Sequence, residues 1–480
     1  MDTLARLFKQ HFHSLPESST PVQGELGGSG RRILRLTGAG HTAIGILYGV
    51  REENVAFLTF SRHFGALGLP VPQIYAEDLD NGAYLLQDLG DTTLYQFLQA
   101  HRDGEVLAAE VIDAYRKVVQ LLPRFQLQGV RGLDTSVCYP RAAFDRQSIA
   151  WDLNYFKYYF LRLAGLAFSE QALEDDFQRL TDFLLLAPSD YFLYRDFQSR
   201  NIMLVQGEPY FLDYQGGRRG ALQYDVASLL YDAKADLPPA VREQLLHTYL
   251  DELQKHAAVD RADFLRFYPA FVLVRILQAL GAYGFRGYYE RKPHFLASVP
   301  YALRNLQWLL SNADLQVELP TITAVCNAMI ASPALQSLSA QPAAAASPLR
   351  VRITSFSFHQ GLPQDSSGHG GGFIFDARSL PNPGRDPQFR KLTGRDAPVK
   401  HYLARETSVE DFFAHACALV EQSVRSYQQR GFDSLSVNFG CTGGQHRSVY
   451  LAEKLAAHLR DKPGLTVTLQ HRELERMGML

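Results

Sequence analysis

The chain has 480 residues, a formal charge of −2, 46% hydrophobic and 20% charged residues; it is too long for one core and has the composition of an ordinary globular protein of two or three domains. No apolar run reads as long enough to span a bilayer, the opening Met1-Asp2-Thr3-Leu4 lacks a secretion-signal layout, and Cys138, Cys326, Cys417 and Cys441 are too scattered for a disulfide framework or a zinc site. A cytoplasmic protein with reduced thiols and no membrane partner is expected. From Arg350 onward 17 basic residues face 13 acidic ones, an excess that permits an anionic ligand without demanding one.

In chain order, Leu4 to His13 reads as an amphipathic helix, and the glycine-rich stretch Gly24 to Gly30 feeds a strand, Arg31 to Leu36. Such a loop lets backbone N–H groups approach nucleotide phosphates, or is a plain hairpin. No Lys-Ser/Thr follows, so it is not a P-loop. There is no lysine between residues 10 and 100. The usual strand lysine that grips nucleotide phosphates is therefore missing, and Arg32 or Arg35 is expected to replace it as a bidentate fork. Glu52 or Glu53, at the head of a helix expected to end at Leu67, is the candidate partner acid. Pro70–Glu77 and Gly82–Gly90 read as strands around Asp80-Asn81-Gly82. In a two-lobed kinase the hinge falls here, with backbone groups near Gln87 and Leu89 against adenine. Helical patterns follow over Thr93–Gln126, Trp151–Leu163 and Ser169–Leu186, which Pro188 stops. The aromatic residues between Tyr155 and Phe160 are too dense for one helix face and are assigned mostly to core.

The central motif is Tyr194-Arg195-Asp196-Phe197-Gln198-Ser199-Arg200-Asn201, followed by Phe211-Leu212-Asp213. Asn201–Val205 and Pro209–Asp213 read as a hairpin around Gln206-Gly207-Glu208, which brings Asn201 and Asp213 to one end. Phosphoryl transfer needs an acid to accept or orient the attacking hydroxyl's proton, and an amide and a second acid to hold the metal on the nucleotide phosphates. Asp196 fits the first role, Asn201 and Asp213 the second. Asp225 is either a helix cap or a buried acid bonding the catalytic loop. Helices continue from Pro239 to about Asn312, and Ser332–Pro348 has linker composition.

The run Tyr-Arg-Asp-Phe-Gln-Ser-Arg-Asn-Ile-Met, the Leu-Asp-Tyr-Gln-Gly after it and Tyr224-Asp225-Val226-Ala227-Ser228-Leu229-Leu230 resemble the aminoglycoside phosphotransferase superfamily, closest to the bacterial anomeric amino-sugar kinases of the AmgK type. The resemblance covers about residues 5 to 325. It implies a protein-kinase-like bilobal fold that uses ATP and Mg2+, with Asp196 as catalytic base and Asn201 and Asp213 on the metal. For the AmgK-like group it implies phosphorylation of the C1 hydroxyl of N-acetylmuramate or N-acetylglucosamine. Tyr194 replaces the histidine usual in the superfamily.

Near the C-terminus, Leu435–Gly440 is a strand by alternation and Ser448–Leu459 a helix. Between them Cys441-Thr442-Gly443-Gly444-Gln445-His446-Arg447-Ser448 makes an anion cradle from a glycine loop, a helix N-terminus and an arginine. Cys441 and Arg447 also have the C-x5-R spacing of cysteine-dependent phosphatases. With Ser355–Pro363, Phe375–Pro383 and Leu392–Asp396, this loop strongly resembles the C-terminal domain of RapZ over about residues 350 to 475. That resemblance implies an amino-sugar-phosphate site using Thr442, Gly443, His446 and Arg447, with Arg378 and His359 as further candidates.

The expectation is an α/β (α+β) chain with a bilobal kinase-like domain over 1–330 (lobes about 1–90 and 91–330), a linker over 331–349 and a RapZ-C-like α/β domain over 350–480. It is an ATP-dependent sugar 1-kinase with an amino-sugar substrate and a sugar-phosphate effector; RNA is not expected as a partner. A kinase for an aminoglycoside or amino alcohol, and a non-catalytic RNA- or protein-binding adapter, are the rival readings.

Overall fold

The computed structural model describes residues 3–22, 30–104, 106–340, 348–363, 372–429 and 432–479. The chain divides into two compact units, Met1–Gln341 and Pro342–Leu480.

The first unit opens with helix α1 (Thr3–Phe12) and a five-stranded antiparallel sheet of order β1-β2-β3-β5-β4, formed by β1 (Ser18–Pro21), β2 (Arg32–Gly38), β3 (His41–Leu47), β4 (Ile74–Asp78) and β5 (Ala83–Gln87). The β2–β3 hairpin closes on Ala39 and Gly40, both at positive φ, the two-residue turn whose twist suits paired strands. One sheet face, with Leu36, Ala43, Ala83 and Leu85, buries Leu4, Leu7 and Phe8 of α1. The other, with Ile46, Tyr84 and Leu86, packs on Phe57, Phe60 and Phe64 of helix α2 (Arg51–Ala66). Period-two alternation feeds both layers. Glu52 and Glu53 in the first turn of α2 suit its positive end.

The rest of this unit is mainly helical: α3 (Leu94–Ala100), a short hairpin of β6 (Arg102–Asp103) and β7 (Val106–Leu107), α4 (Ala109–Leu127), α5 (Arg146–Phe156) and α6 (Glu170–Leu184). The helix expected from Thr93 to Gln126 is thus two helices. Asp103-Gly104, with Gly104 at positive φ, turns the chain between them. Next come β8 (Tyr191–Leu193), β9 (Ile202–Val205), β10 (Glu208–Phe211) and β11 (Arg218–Gly220). They are followed by α7 (Gln223–Leu230), α8 (Pro239–His256), α9 (Arg261–Gly284), α10 (Val299–Asn312), α11 (Pro320–Ile330) and α12 (Pro333–Gln336). Contrary to the sequence reading, one helical stretch, Arg261–Tyr289, is long and apolar enough to cross a membrane. It packs as a core helix: 72% of its apolar window is buried, and Leu273, Val274, Leu277 and Leu280 are fully enclosed.

The second unit is a four-stranded, all-parallel sheet of order β13-β14-β12-β15, with β12 (Leu349–Ser357), β13 (Gly372–Asp376), β14 (Ser434–Cys441) and β15 (Leu465–His471). Its helices are α13 (Ala397–Ala404), α14 (Thr407–Gln429), α15 (Arg447–Leu459) and α16 (Arg472–Arg476). Val351, Ile353, Leu435, Val437 and Phe439 face a core shared with Leu451, Leu455 and Leu459 of α15. The loop from Cys441 into α15 leaves the C-terminal end of β14, where open parallel sheets place their ligands.

Candidate active site

The predicted hairpin forms, with Ile202 opposite Phe211 and Val205 opposite Glu208. Gln206 and Gly207 both take positive φ at its tip. It sets Asn201 at its open end beside Asp213. The Asn201 amide nitrogen donates to the Asp196 carbonyl at 2.9 Å and to the Asp213 carboxylate at 3.1 Å. One amide therefore ties the segment carrying the candidate base to the second acid. Asp213 lies in the left-handed region, φ 67°, and Arg195 at φ 82°, conformations that cost non-glycine residues roughly 1–3 kcal/mol and persist only where neighbours fix them.

Those neighbours are buried. Asp225 is fully enclosed and accepts the backbone N–H of Tyr194 at 2.8 Å and of Arg195 at 3.0 Å, with Gln126 at 3.4 Å. Of the two roles left open for Asp225, the fold gives it the loop-bonding one. Burial pushes its carboxyl up to about 7, against the backbone N–H groups of Tyr194 and Arg195. Arg195 forks onto Asp152 through two contacts of 2.6 Å and reaches the Tyr224 hydroxyl. The Tyr194 hydroxyl donates to the carbonyl of Leu212, so a tyrosine serves as a strut between the two halves of the motif. Behind Asp213, Tyr214 stacks on Phe57 and its hydroxyl meets Ser61 at 2.6 Å, coupling α2 to the segment that carries the second acid.

The phosphate-gripping cation was assigned to Arg32 or Arg35, but the fold turns a third arginine to the site. Arg31 contacts Glu53 at 2.5 Å and Asp213 at 3.5 Å and lies over the Tyr48 ring. Arg32 is exposed on β2. Arg35 is held by Asp88 at 2.7 Å and Asp91 at 2.9 Å, with the Gly90 carbonyl nearby, so it latches β2 to the segment after β5. The Gln87 N–H, expected at adenine, donates instead to the Gln73 carbonyl; Leu89 is buried. The glycine stretch 24–29 lies outside the described residues. A doublet alone does not reveal which arginine turns inward: Arg31, just before β2, meets the site while Arg32 is exposed, and alternation along β11 buries Arg218 and exposes Arg219.

Asp213 is raised above the ordinary carboxylate range, first by burial and then by the nearby Asp196 charge. Two close carboxylates with an amide oxygen at hand are a hard-oxygen donor set that a divalent cation relieves. Asn201 and Asp213 therefore fit Mg2+. Arg218, buried and lowered to about 10 by burial and then by Arg195, is a cation of the site that the motif did not identify. Nor did the motif identify Asp152, an acid on α5 that lies 43 residues upstream of its partner Arg195.

In the second unit Thr442 and Gly443 are exposed at the loop tip, whereas His446 and Arg447 turn inward. His446 contacts the Phe389 carbonyl at 2.9 Å. Arg447 donates to the carbonyls of Arg378 and Leu380, both at 2.9 Å, and approaches the Thr442 hydroxyl at 3.4 Å. Arg378 pairs with Asp376 over the Phe358 ring, and His359 is exposed. Cys441 is buried against the Ser448 hydroxyl at 3.1 Å, poorly placed for the nucleophilic role that the C-x5-R spacing suggested.

Residues 25–264 match the model of the phosphotransferase enzyme family, and residues 349–475 that of the RapZ C-terminal domain. A nucleotide-binding protein of Thioalkalivibrio sulfidiphilus is 44% identical over 126 residues, 26% of this chain and 42% of that one. One of Laribacter hongkongensis is 46% identical over 126 residues, 26% and 43%. The chain thus spans less than half the length of these curated relatives. Among solved structures, the choline kinase LicA of Streptococcus pneumoniae aligns at 15% identity and TM-score 0.40, over 64% of this chain and 99% of that one. A choline kinase of Cryptosporidium parvum aligns at 10% identity and TM-score 0.45, over 68% and 99%. The family model spans half of the sequence and contains the whole Asp196, Asn201, Asp213 and Asp225 constellation: this chain belongs to the phosphotransferase enzyme family, and behind that domain it carries a segment that matches the RapZ C-terminal domain.

Proposed function

We propose that the first unit is an ATP- and Mg2+-dependent kinase that phosphorylates the anomeric C1 hydroxyl of an N-acetylated amino sugar, N-acetylmuramate or N-acetylglucosamine, in cell-wall sugar recycling. The observation that carries the kinase reading is the Asn201 amide bound to both the Asp196 backbone and the Asp213 carboxylate. Mg2+ on Asn201 and Asp213 would neutralise the nucleotide phosphates. Asp196 orients the attacking hydroxyl and takes its proton; an anomeric hydroxyl is more acidic than an ordinary sugar alcohol, so a carboxylate suffices. Arg31, held by Glu53, supplies the cation that a lysine gives elsewhere. Asp225 and the Asp152–Arg195 pair hold the base in place. The buried cation Arg218 beside Asp196 favours these sugars over a polycationic aminoglycoside.

The test is transfer from labelled ATP to a panel of sugars, choline and kanamycin, with the product position read by NMR. Phosphate at C1 of an N-acetylhexosamine, lost by at least about 10³-fold in Asp196→Asn at unchanged melting temperature, is the expected outcome. Transfer to choline or kanamycin alone would move the substrate class, and turnover retained by Asp196→Asn would end the kinase assignment.

For the second unit we propose an amino-sugar phosphate as effector, bound at Thr442 and Gly443 and the N-terminus of α15, with His446 and Arg447 shaping the loop from behind. Calorimetry with glucosamine-6-phosphate tests it: loss of the heat in Thr442→Ala is expected, and no heat with the unaltered protein refutes it.

A further inference from the structure

Of the inward-turned guanidinium groups of the site, Arg31, Arg195 and Arg218, the first two have carboxylate partners. Arg195 forks onto Asp152 and Arg31 meets Glu53 and Asp213. Arg218 makes no ion pair among the described residues. It is only 6% exposed, and its contacts are carbonyls: Nε donates to Gly216 at 2.9 Å and Nη2 reaches Tyr139 at 3.4 Å. Nη1 makes no hydrogen bond to the described residues, yet it is not sealed from solvent. Burial and Arg195 push this guanidinium down to about 10, so it stays charged at neutral pH.

The strand explains its aim. β11 pairs with β8, placing Arg218 opposite Leu193, just before the Asp196 loop. Along β11 exposure alternates, so Arg219 faces outward and Arg218 inward, toward Arg195, Asp152 and Asp196. The carbonyl it holds belongs to Gly216, whose missing side chain would otherwise stand 3.6 Å from the Asp196 carboxylate. Arg31 lies on the Asp213 side of the site, the side of the metal and phosphates, whereas Arg218 flanks Asp196 on the Gly216 side. A buried cation oriented by neutral dipoles, with Asp152 and Asp196 nearby but no carboxylate in contact with it among the described residues, keeps a donor edge preorganised for an anion that arrives with the ligand.

We propose that Arg218 is the acceptor-selecting residue and that the preferred acceptor is a sugar bearing a carboxylate, which Arg218 holds while Asp196 faces the reacting hydroxyl. The inference rests on the kinase reading and narrows its substrate class to an acidic amino sugar.

N-acetylmuramate and N-acetylglucosamine differ by one lactyl carboxylate and form the probe pair. With the full chain, kcat/KM is expected to favour the acid. Arg218→Gln should lower the acid-to-neutral ratio of kcat/KM by roughly 10- to 100-fold, mainly through KM for the acid, and Arg218→Lys should recover part of it. An unchanged ratio overturns the proposal. So does an equal fall in kcat on both sugars, which would put the guanidinium on the transferring phosphoryl group. A binding measurement separates this from failure of the kinase reading. Calorimetry of both sugars on Asp196→Asn, with and without Arg218→Gln, needs no turnover. Tighter binding of the acid, lost with Arg218→Gln while the melting curve is kept, supports the assignment even if no transfer occurs. Equal affinities for the two sugars refute it.

Discussion

Replacing Asp225 by asparagine tests the framework behind the base without touching a reacting atom. Both oxygens of this enclosed carboxylate accept N–H groups, from Tyr194, Arg195 and Gln126. Asparagine keeps one acceptor and turns an NH2 toward a donor. One buried backbone N–H then loses its partner, at about 1–3 kcal/mol, and a charge-assisted bond becomes a neutral one, for a total of about 2–4 kcal/mol. The substitution also removes a pH dependence. In the fold Asp225 titrates at about 7, against about 3.9 in an unfolded chain. Between these values the folded protein binds a proton that the unfolded chain has released, so stability falls as pH rises from about 4 to about 7 and is level outside that window. The gap corresponds to at most about 4 kcal/mol. Urea unfolding of the unaltered protein and of Asp225→Asn, from pH 4 to pH 8, reads both effects. Asp225→Asn should be less stable at pH 8 and its curve flatter below neutrality. Parallel curves across the range would refute the reasoning, because they would mean that Asp225 does not change its proton on folding.

Three other substitutions probe two separate features. Arg31→Ala should raise KM for ATP by roughly 10- to 100-fold, and Glu53→Gln should do part of the same; because the two act through one contact, the double variant should fall short of the product of the single effects. Full multiplicativity in nucleotide-titrated kinetics would separate them. In the second unit, Arg447→Met leaves the carbonyls of Arg378 and Leu380 without their donor and should cost about 2–4 kcal/mol, seen by calorimetric melting of the full chain. An unchanged melting profile with lost glucosamine-6-phosphate binding would instead make Arg447 a direct ligand.

Local patterns were legible wherever the chemistry is local. The Ile202–Phe211 hairpin follows from two apolar runs around Gln206-Gly207, and it carries Asn201 and Asp213 together whatever surrounds it. The β14–loop–α15 unit followed from alternation, glycines and helix period in the same way. Features that depend on partners far along the chain were not legible. The choice between two roles for Asp225 and the inward turn of His446 and Arg447 were each decided by groups many residues away.

By itself, then, the sequence determined the spacing of base, amide and second acid, because hairpin register is set by side-chain alternation and turn residues within about a dozen positions. The tertiary structure alone decided which arginines serve the site. Arg31 reaches Asp213, Arg195 reaches Asp152 and Arg218 makes no ion pair among the described residues, because the packing of segments far apart in the chain sets which guanidinium is buried and which acid it meets.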